Sequence, residues 1–335
     1  MKRQEVLNKL GFSVPENKQK RVIIHSDVKN EADDHFAIMH HLLTPYIDVK
    51  GIIAGHFEWM SSMLPQFAKQ KGISLEEVEV LTRDTIAARG TTMELSYNEG
   101  HKLLELAEIE DIPLYRGSSY EITDKNKLPE SEGADFIIKE AMKEDDRPLY
   151  VALLGCTTDL AIAYLKEPKI ADRLTAIWIG GGDYPDGGFE FNLQQDVEAA
   201  RILFASPIKI WQVPKATYKT MEISLAELMK YVKPCGEIGR YLCEQMLSFR
   251  DRVFGFPGSE KRDFPHGESW CLGDNPTVSV LLQGEDRVCW HMEKAPIIND
   301  DMSYSANPDG KEIRVYDSID TRMSMSDMFS KLELC

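Results

Sequence analysis

The sequence predicts an α/β protein with a mostly parallel, doubly wound central sheet and helices on both of its faces. The first observation is that short β-branched runs alternate with segments whose apolar residues recur at helical spacing. Such alternation is typical of βαβ units, which build a parallel sheet covered on both sides. The second is that polar residues follow several predicted strands, at the edge where such sheets bind ligands.

The predicted elements follow one another along most of the chain. Short apolar, β-branched runs predict six strands, at residues 22–25, 49–54, 113–115, 149–154, 175–179 and 208–213. Apolar residues at helical spacing predict five helices, at residues 34–43, 93–107, 133–142, 158–164 and 196–204. A further strand is predicted at 312–316 and a final helix around 325–332.

Three segments interrupt this alternation. Residues 57–92 have the composition of a charged, partly helical insertion, residues 214–270 that of a mostly helical cap, and residues 286–335 form a C-terminal tail. The sequence shows no internal repeat, low-complexity tract or Pro/Ser linker between them. We therefore expect residues 1–335 to form one domain, a length that a single large domain can reach.

The composition limits the class of protein and of partner. The chain has 55 acidic and 39 basic residues, a formal net charge of −16, and no basic stripe, which argues against nucleic acid and anionic membranes as partners. No apolar run reaches the roughly 18 residues of a membrane span, and the basic N-terminus lacks the apolar core of a secretory signal. Six cysteines are scattered without CxxC spacing, as in reduced proteins. We expect a cytoplasmic enzyme.

Residues 21–43 concentrate three carboxylates. The apolar run 22–24 is followed closely by Asp27, and the pair Asp33 and Asp34 opens a predicted helix after a loop of five residues. Carboxylates this close repel one another unless a cation lies among them, and oxygen ligands select hard metals such as Ca²⁺ or Mg²⁺. Acidic residues also favour the first turn of any helix, so the pair alone leaves both interpretations open.

Three later segments place polar residues at the ends of predicted elements. Thr158 begins a helix, Glu190 and Asn192 flank Phe191 after a glycine triplet, and Asp274 begins an apolar helix. Glycines let a backbone approach a ligand closely. Helix caps would also explain Thr158 and Asp274, and a glycine-rich hairpin would explain the triplet, but neither explains Glu190 and Asn192.

In this order the four segments resemble the nucleoside hydrolase family, the calcium-dependent N-ribohydrolases of the inosine–uridine-preferring type. The family motif DxDxxxDD is similar to residues 25–34. The later family motifs GPLTN, a glycine pair, EFN with DPEAA, and HD are similar to GCTTD, GGG, EFN with DVEAA, and GD in this chain. The match to EFNxxxDxEAA is the most specific, and the resemblance runs from about residue 21 to residue 283.

The resemblance implies a role for each matching residue. Ca²⁺ would be held by the carboxylates of Asp27, Asp34 and Asp274 and by the backbone carbonyl of Thr158. Asp27 would also accept a proton from the attacking water. The residues implied to contact the sugar are Asp33, His56, Asn192 and, near the 5′ side, Glu190. Cleavage of a glycosidic bond passes through an oxocarbenium-like transition state, and a cluster of anions stabilises its positive charge.

The sequence departs from the family pattern at four places. The first aspartate is His25, the loop before Asp33 is two residues longer, and the segment before Glu190 is shorter and lacks an asparagine. The residue before the last aspartate is Gly273, where the family has the histidine that protonates a purine leaving group. The longer loop brings new side chains toward the metal site: Lys29, Asn30 and Glu31.

Several residues are candidates for the role of the missing histidine. His266 is a candidate proton donor, and Trp270 is a candidate surface on which a base would stack, although core packing would also explain Trp270. The tail offers four more candidates: Tyr304, Arg314, Tyr316 and Arg322. Cys156 and Cys271 flank the site in sequence, and we expect both to be buried structural thiols.

The predicted function is Ca²⁺-dependent hydrolysis of the N-glycosidic bond of a ribonucleoside or ribosyl-like metabolite, giving free base and ribose. One alternative is the hydrolysis of another glycoside, which Gly273 and the shortened segment favour. The other is a non-catalytic ribose- or metabolite-binding protein that keeps the metal site, which His25 and the altered loop favour. The family resemblance also implies a homodimer or homotetramer.

Overall fold

The computed structural model describes residues 1–82, 86–254, 267–284 and 286–335. The strands in these ranges are β1 Lys20–Ser26, β2 Ile47–Ala54, β3 Leu114–Arg116, β4 Leu149–Leu153, β5 Leu174–Ile179, β6 Lys209–Val213, β7 Glu222–Ser224, β8 Ser269–Cys271, β9 Cys289–Lys294, β10 Ile297–Ile298, β11 Tyr304–Ser305 and β12 Glu312–Ser318. Eight of them form one central sheet, whereas β7 pairs with β8 and β10 pairs with β11 in two small antiparallel sheets.

Helices cover both faces of the central sheet. They are α1 Arg3–Asn8, α2 Asp33–Leu42, α3 Trp59–Ser62, α4 Leu64–Lys71, α5 Leu75–Thr82, α6 Thr92–Leu106, α7 Glu132–Ala141, α8 Thr158–Lys166, α9 Phe191–Gln195, α10 Val197–Ala205, α11 Lys215–Tyr218, α12 Leu225–Glu227, α13 Gly236–Phe254, α14 Pro276–Leu282 and α15 Thr321–Leu334. Short 3-10 or π turns occur at Glu16–Lys18, Pro168–Asp172 and Leu228–Val232. Across the described part of the chain, no helix combines the length and the apolar character needed to cross a membrane.

The strand order in the central sheet is β3-β2-β1-β4-β5-β6-β12-β9. All neighbouring strands from β3 to β12 are parallel, and only β9 runs antiparallel, at the edge beside β12. The predicted α/β fold with a mostly parallel, doubly wound sheet is confirmed. The six strands and five helices predicted between residues 22 and 213 all occur, with ends within two residues of those predicted.

Side chains of the inner strands alternate between two hydrophobic cores. In β1, Val22 and Ile24 pack on one face of the sheet with α2, α13 and α14, whereas Ile23 packs on the other face with α7, α8 and α10. In β4, Ala152 and Val151 divide in the same way. Both faces of these strands are therefore buried, which explains why their sequences are continuous apolar runs instead of alternating ones.

The sheet has its topological switch point between β1 and β4. The chain moves outward from β1 through β2 to β3, then returns to β4 and continues in the opposite direction. At such a point the loops that follow the two strands diverge and leave a crevice at the carboxyl edge of the sheet. The residues that line this crevice are Asp27 after β1 and the turn from Gly155 to Thr158 after β4.

The small β7–β8 sheet positions the segment before Asp274 at the carboxyl edge of the central sheet. Glu222 to Ser224 pairs with Ser269 to Cys271, and Leu272 N–H donates to the carbonyl of Met221. Asp274 follows directly, and α14 then packs against α2 and β5. The last aspartate of the motif is therefore carried to the crevice by strand pairing rather than by proximity in sequence.

Candidate active site

Three carboxylates from two helix beginnings meet at the crevice. Asp33 and Asp34 open α2, Asp274 precedes α14, and all three are buried. One oxygen atom from each lies within 4.8 Å of the other two. Ser26 Oγ, at the end of β1, donates to Asp34 Oδ1 at 2.5 Å and orients that carboxylate. The fold thus brings Asp34 and Asp274 together, although they are more than 200 positions apart in sequence.

Asp27 borders this cluster at the end of β1. Its Oδ2 accepts a hydrogen bond from Asn30 Nδ2 at 2.9 Å, while a Cβ at Gly155 would lie only 2.2 Å from its Oδ1. Any side chain at residue 155 would displace this carboxylate, so glycine is required at this position of the turn. Burial raises the pKa of Asp27 to about 7.

The cluster has the chemistry of a binding site for a hard cation. Burial raises the pKa of Asp33 to about 6, and burial together with neighbouring carboxylates raises those of Asp34 and Asp274 well above their usual range. Within the described ranges, no Lys or Arg forms an ion pair with any of these side chains. A set of oxygen donors without internal compensation fits a divalent ion such as Ca²⁺ or Mg²⁺.

The carboxylates that lie closest together in the structure are not the three that were predicted to bind the metal. The resemblance assigned Asp33 to the sugar and Asp27 to the metal, whereas the oxygens that lie mutually close belong to Asp33, Asp34 and Asp274. Asp27 is near enough to raise the pKa values of Asp34 and Asp274 electrostatically. All four carboxylates therefore share one site, and the roles of Asp27 and Asp33 remain predictions.

Three side chains of the longer loop after β1, those of Lys29, Asn30 and Glu31, point in different directions. Lys29 Nζ turns outward and lies 2.8 Å from Glu99 Oε2 and 3.2 Å from Gln245 Oε1. Asn30 binds Asp27. Glu31 is half-buried, and Asp33 and Asp27 lie near enough to raise its pKa in addition to the effect of burial. The loop therefore adds a carboxylate to the site and directs its lysine elsewhere.

Glu99 anchors this loop to two helices. His35 Nε2 lies 2.8 Å from Glu99 Oε1, and the Tyr241 hydroxyl donates to the same oxygen. Burial opposes ionisation of Glu99, but its hydrogen bonds with His35, Lys29 and Tyr241 lower its pKa to about 2. Glu99, on α6, therefore connects the loop through Lys29, α2 through His35 and α13 through Tyr241.

The turn after β4 is held by a buried chain of hydrogen bonds. Thr158 Oγ1 donates to Asp196 Oδ2 at 2.7 Å and lies 3.0 Å from His56 Nε2. His56 has no exposed surface. Its ring supports the turn that carries Thr158, and the predicted contact of His56 with the sugar stays a prediction. The fixed turn is consistent with the predicted use of the Thr158 carbonyl as a ligand.

His25 and Asp159 form a second buried support. His25 Nε2 lies 2.7 Å from Asp159 Oδ2, and both side chains are fully buried. The other oxygen of Asp159 accepts from Ser118 N–H at 2.7 Å and Ser131 Oγ at 2.5 Å. Burial opposes ionisation of Asp159, but these donors and His25 lower its pKa. The pair joins the ends of β1 and β4, which carry Asp27 and Thr158.

Glu190 and Asn192 lie at the carboxyl ends of β4 and β5. Asn192 Nδ2 donates to the carbonyls of Leu154 and Ile179 at 2.7 and 2.9 Å, and so bridges the two strands. Glu190 caps α9 and accepts from the backbone N–H groups of residues 181, 192 and 193. The Tyr218 hydroxyl adds a fourth donor at 3.0 Å. Glu190 is therefore saturated with protein donors, and its predicted contact with the 5′ side of the sugar stays a prediction.

Tyr218 also packs closely against Gly273. A Cβ at Gly273 would lie 3.0 Å from Tyr218 Cδ2 and 3.2 Å from Asp33 Oδ2. A side chain before Asp274 would therefore require the Tyr218 ring or the Asp33 carboxylate to shift by a few tenths of an ångström. No sequence pattern indicates this contact, because the two residues are 55 positions apart and Tyr218 belongs to no recognised motif.

The structure places Trp270 in the hydrophobic core. Trp270 is fully buried and packs edge-on against Phe249 at 5.3 Å between ring centroids. This burial favours the core-packing interpretation, and stacking of a base on Trp270 stays a prediction. In the tail, Tyr316 is buried and the Arg314 guanidinium lies between the rings of Trp211 and Trp290. The tail candidates Tyr304 and Arg322 stay untested, and the candidate proton donor His266 lies outside the described residues.

An aromatic group beside Asn192 was not predicted. Trp59, from the insertion, lies 5.6 Å from Phe189 and 6.0 Å from Phe191 between ring centroids. Phe189 and Phe191 are 41% and 40% exposed. Their partly exposed rings flank Glu190 and Asn192 in the chain and form an aromatic group with Trp59.

The His25–Asp159 pair yields a prediction for protein stability. His25→Asp places two carboxylates against each other in the core, and we expect a loss of about 3 kcal/mol or more in free energy of unfolding. Adding Asp159→Asn supplies an amide donor to the new aspartate, so the double variant should recover at least about 1 kcal/mol. Urea unfolding of the single and double variants measures this coupling. Additive losses would show that the two side chains do not interact.

Comparisons with known proteins identify the family of this chain. The family profile described as inosine-uridine preferring nucleoside hydrolase matches residues 74–322. An inosine-uridine preferring nucleoside hydrolase from Crithidia fasciculata is 26% identical over 164 residues, which cover 41% of this chain and 51% of that protein. The chain thus spans about half the length of this relative. A pyrimidine-specific ribonucleoside hydrolase from Shigella flexneri is 23% identical, over 65% of this chain and 74% of that protein.

Solved structures show the same fold. A plant nucleoside hydrolase has a TM-score of 0.68 at 18% identity, covering 94% of this chain and 99% of that one. A purine-preferring ribonucleoside hydrolase from Gardnerella vaginalis has a TM-score of 0.68 at 16% identity, covering 94% and 98%. The profile match extends over most of the chain and includes Asp274 and the EFN motif. The chain belongs to the inosine-uridine preferring nucleoside hydrolase family.

Proposed function

We propose that this protein hydrolyses the N-glycosidic bond of a ribonucleoside or ribosyl-like metabolite, with Ca²⁺ as its metal. The observation that carries the proposal is the buried, uncompensated group of Asp33, Asp34 and Asp274, with Asp27 beside it, at the switch point of the sheet. Ligands of such sheets bind at this point. The proposed products are the free base and ribose.

The metal would be held by carboxylates of this group and by the Thr158 carbonyl. When bound, such an ion supplies Lewis acidity toward the ribose hydroxyls and the attacking water. Ca²⁺ is favoured because its flexible coordination accepts six to eight oxygen ligands. The Ser26 hydroxyl and the His56–Thr158–Asp196 contacts hold Asp34 and the turn before any substrate arrives.

Asp27 is the proposed general base. It stands at the end of a rigid strand, and Asn30 fixes one of its oxygens. Aspartate and glutamate carboxylates are among the side chains that act as general bases, and Asp27 borders the proposed metal ligands from which the attacking water would be activated. The surrounding carboxylates stabilise positive charge that develops on the sugar ring as the bond breaks.

Asn192 and Asp33 are the proposed contacts with the ribose hydroxyls. The Asn192 amide nitrogen is bound to two strand carbonyls, and this leaves its oxygen as the free acceptor of the side chain. The bridge to β4 and β5 fixes the direction of that oxygen. Asp33 lies across the crevice at the beginning of α2.

Replacing the proposed base should stop hydrolysis without unfolding the protein. We expect Asp27→Asn to lower kcat by at least about a hundredfold, because general base catalysis contributes about 10²- to 10⁴-fold. Release of ribose from inosine and uridine measures the rate, and circular dichroism checks the fold. Asp309→Asn, at an exposed loop aspartate, is the matched control and should retain full activity. Near-normal turnover by Asp27→Asn would contradict the proposed role.

Calcium should stabilise the protein in a pH-dependent manner. Because folding raises the pKa of Asp27 to about 7 and of Asp33 to about 6, the metal-free folded protein holds protons that the unfolded chain has released. These two groups should therefore contribute less to the free energy of unfolding as pH rises from about 4 to about 7, in opposition to Glu99 and the buried histidines, whose pKa values are lowered. The gain in Tm on adding Ca²⁺ should grow over the same interval, because binding displaces those protons.

The stabilisation expected from Ca²⁺ depends on its concentration relative to its Kd. A ligand at a hundred times its Kd adds about 2.7 kcal/mol to the free energy of unfolding. Asp34→Asn and Asp274→Asn should remove most of the gain, whereas Asp309→Asn should preserve it. A Tm that does not respond to Ca²⁺ at any pH would count against the metal site. Tight binding of ribose without turnover would instead support the alternative of a binding protein.

A further inference from the structure

We propose that Glu190 and Tyr218 are positioning residues that together fix the Asn192 amide, and that Glu190 itself binds no substrate hydroxyl. This inference rests on the proposed N-ribohydrolase function, in which Asn192 contacts the ribose. It replaces the contact of Glu190 with the 5′ side of the sugar that the family resemblance implies. Two features carry it: the filled acceptor positions of Glu190, and the hydrogen bonds that join Glu190 to the helix carrying Asn192.

The acceptor positions of the Glu190 carboxylate are filled by donors of the protein itself. Oε1 accepts from the Asn192 N–H at 3.1 Å and from the Tyr218 hydroxyl at 3.0 Å. Oε2 accepts from the N–H groups of Gly181 at 2.8 Å and Leu193 at 2.9 Å. An ionised carboxylate has about four lone-pair positions, two on each oxygen. A substrate hydroxyl would therefore have to displace one of these donors, and the carboxylate is almost completely buried.

Three of these donors are backbone N–H groups that fix the path of the chain around Asn192. Gly181 follows β5, whereas Asn192 and Leu193 lie in the first turn of α9. The first N–H groups of a helix have no partner within the helix, and the Glu190 side chain caps them here. Because α9 has only five residues, this cap holds a large part of the helix.

The Asn192 side chain extends from the capped turn to two strands of the central sheet. Its Nδ2 donates to the carbonyls of Leu154, directly after β4, and Ile179, at the end of β5, at 2.7 and 2.9 Å. Both N–H groups of the amide are thereby used, and its oxygen is the atom left to accept a hydrogen bond from a ribose hydroxyl. A shift of the first turn of α9 would move this oxygen.

Tyr218 supplies the one side-chain donor among the four that Glu190 accepts. It ends α11, and its ring packs against Gly273, where a Cβ would lie 3.0 Å from Tyr218 Cδ2. Its hydroxyl fills the acceptor position that the three backbone donors leave on Glu190. Tyr218 therefore connects the turn that carries Asn192 to the segment that carries Asp274.

A double-mutant cycle on the full chain with Ca²⁺ tests whether Glu190 acts through Asn192. Glu190→Gln retains the size of the side chain, but in either orientation its amide nitrogen faces two donors. We expect kcat/KM for inosine to fall by at least about tenfold in Glu190→Gln and by more in Asn192→Ala, because small displacements of contact groups cost up to about a hundredfold. The double variant should be no slower than Asn192→Ala alone.

The 5′-hydroxyl of the substrate provides a second test. 5′-Deoxyinosine retains the base and the 2′,3′-diol of inosine but lacks this hydroxyl. Because Glu190 binds protein donors only, Glu190→Gln should lower kcat/KM for the two ribosides by the same factor, within about twofold.

Tyr218→Phe repeats both comparisons with a smaller change. It removes one donor to Glu190 and keeps the ring against Gly273, so the inference is testable even if Glu190→Gln does not fold. We expect kcat/KM to fall by about threefold or more, equally for both ribosides, with no further loss in the Asn192→Ala background.

A matched control separates the loss of this cap from the loss of a capping carboxylate in general. Glu77 accepts from the Ser74 N–H and hydroxyl at the start of the exposed helix α5, and Glu77→Gln should leave both rates unchanged. Circular dichroism and the Ca²⁺-induced rise in Tm verify that each variant is folded and binds metal.

Several results would overturn the inference. A loss confined to inosine in Glu190→Gln would show a direct contact with the 5′-hydroxyl. Losses that multiply in the double variant would show that Glu190 acts independently of Asn192, and wild-type rates in Glu190→Gln and Tyr218→Phe would exclude both as positioning residues. Wild-type turnover by Asn192→Ala would contradict the proposed role of that amide, whereas no turnover of either riboside by the wild-type protein would overturn the proposed function.

Discussion

The arrangement of the whole site depends on the mutual repulsion of buried carboxylates. Asp27, Asp33, Asp34 and Asp274 are brought into one crevice by the sheet and by the β7–β8 pairing, and burial raises the pKa of each. Like charges in a medium of low dielectric destabilise the folded chain unless a cation binds or protons are taken up. Binding of a divalent ion would relieve this repulsion and stabilise the folded protein. The free energy of unfolding is therefore expected to depend on both metal and pH.

The surrounding structure holds these charges in place. Ser26 orients Asp34, and Gly155 leaves room for Asp27. Behind them, the buried His25–Asp159 contact ties the end of β1 to the turn after β4. The carboxyl ends of the parallel strands thus hold the carboxylates in position, whereas the loop from Asp27 to Asp33 differs from the family pattern in length and sequence. This division explains how a divergent loop coexists with an intact cluster.

Much of the fold could be predicted, because both faces of its inner strands are buried and their sequences are uninterrupted apolar runs. Strand β9 was missed because it lies at the sheet edge and mixes polar and apolar residues in CWHMEK. The acidic residues of the site were found through their spacing after strands. Tyr218 and Trp59 were not, since their importance comes from contacts across the fold. The complete burial of His56 and Trp270 was not predicted either, because sequence does not reveal it.

The central claim is that the carboxylate group is a metal site, and direct titration tests it. Isothermal titration calorimetry of the chelator-treated protein with Ca²⁺ at neutral pH should give one ion per chain, with release of protons, and Asp34→Asn should abolish the binding. Proton release identifies carboxylates with raised pKa values as the ligands. Absence of binding in the wild-type protein, or unchanged binding in Asp34→Asn, would contradict the account.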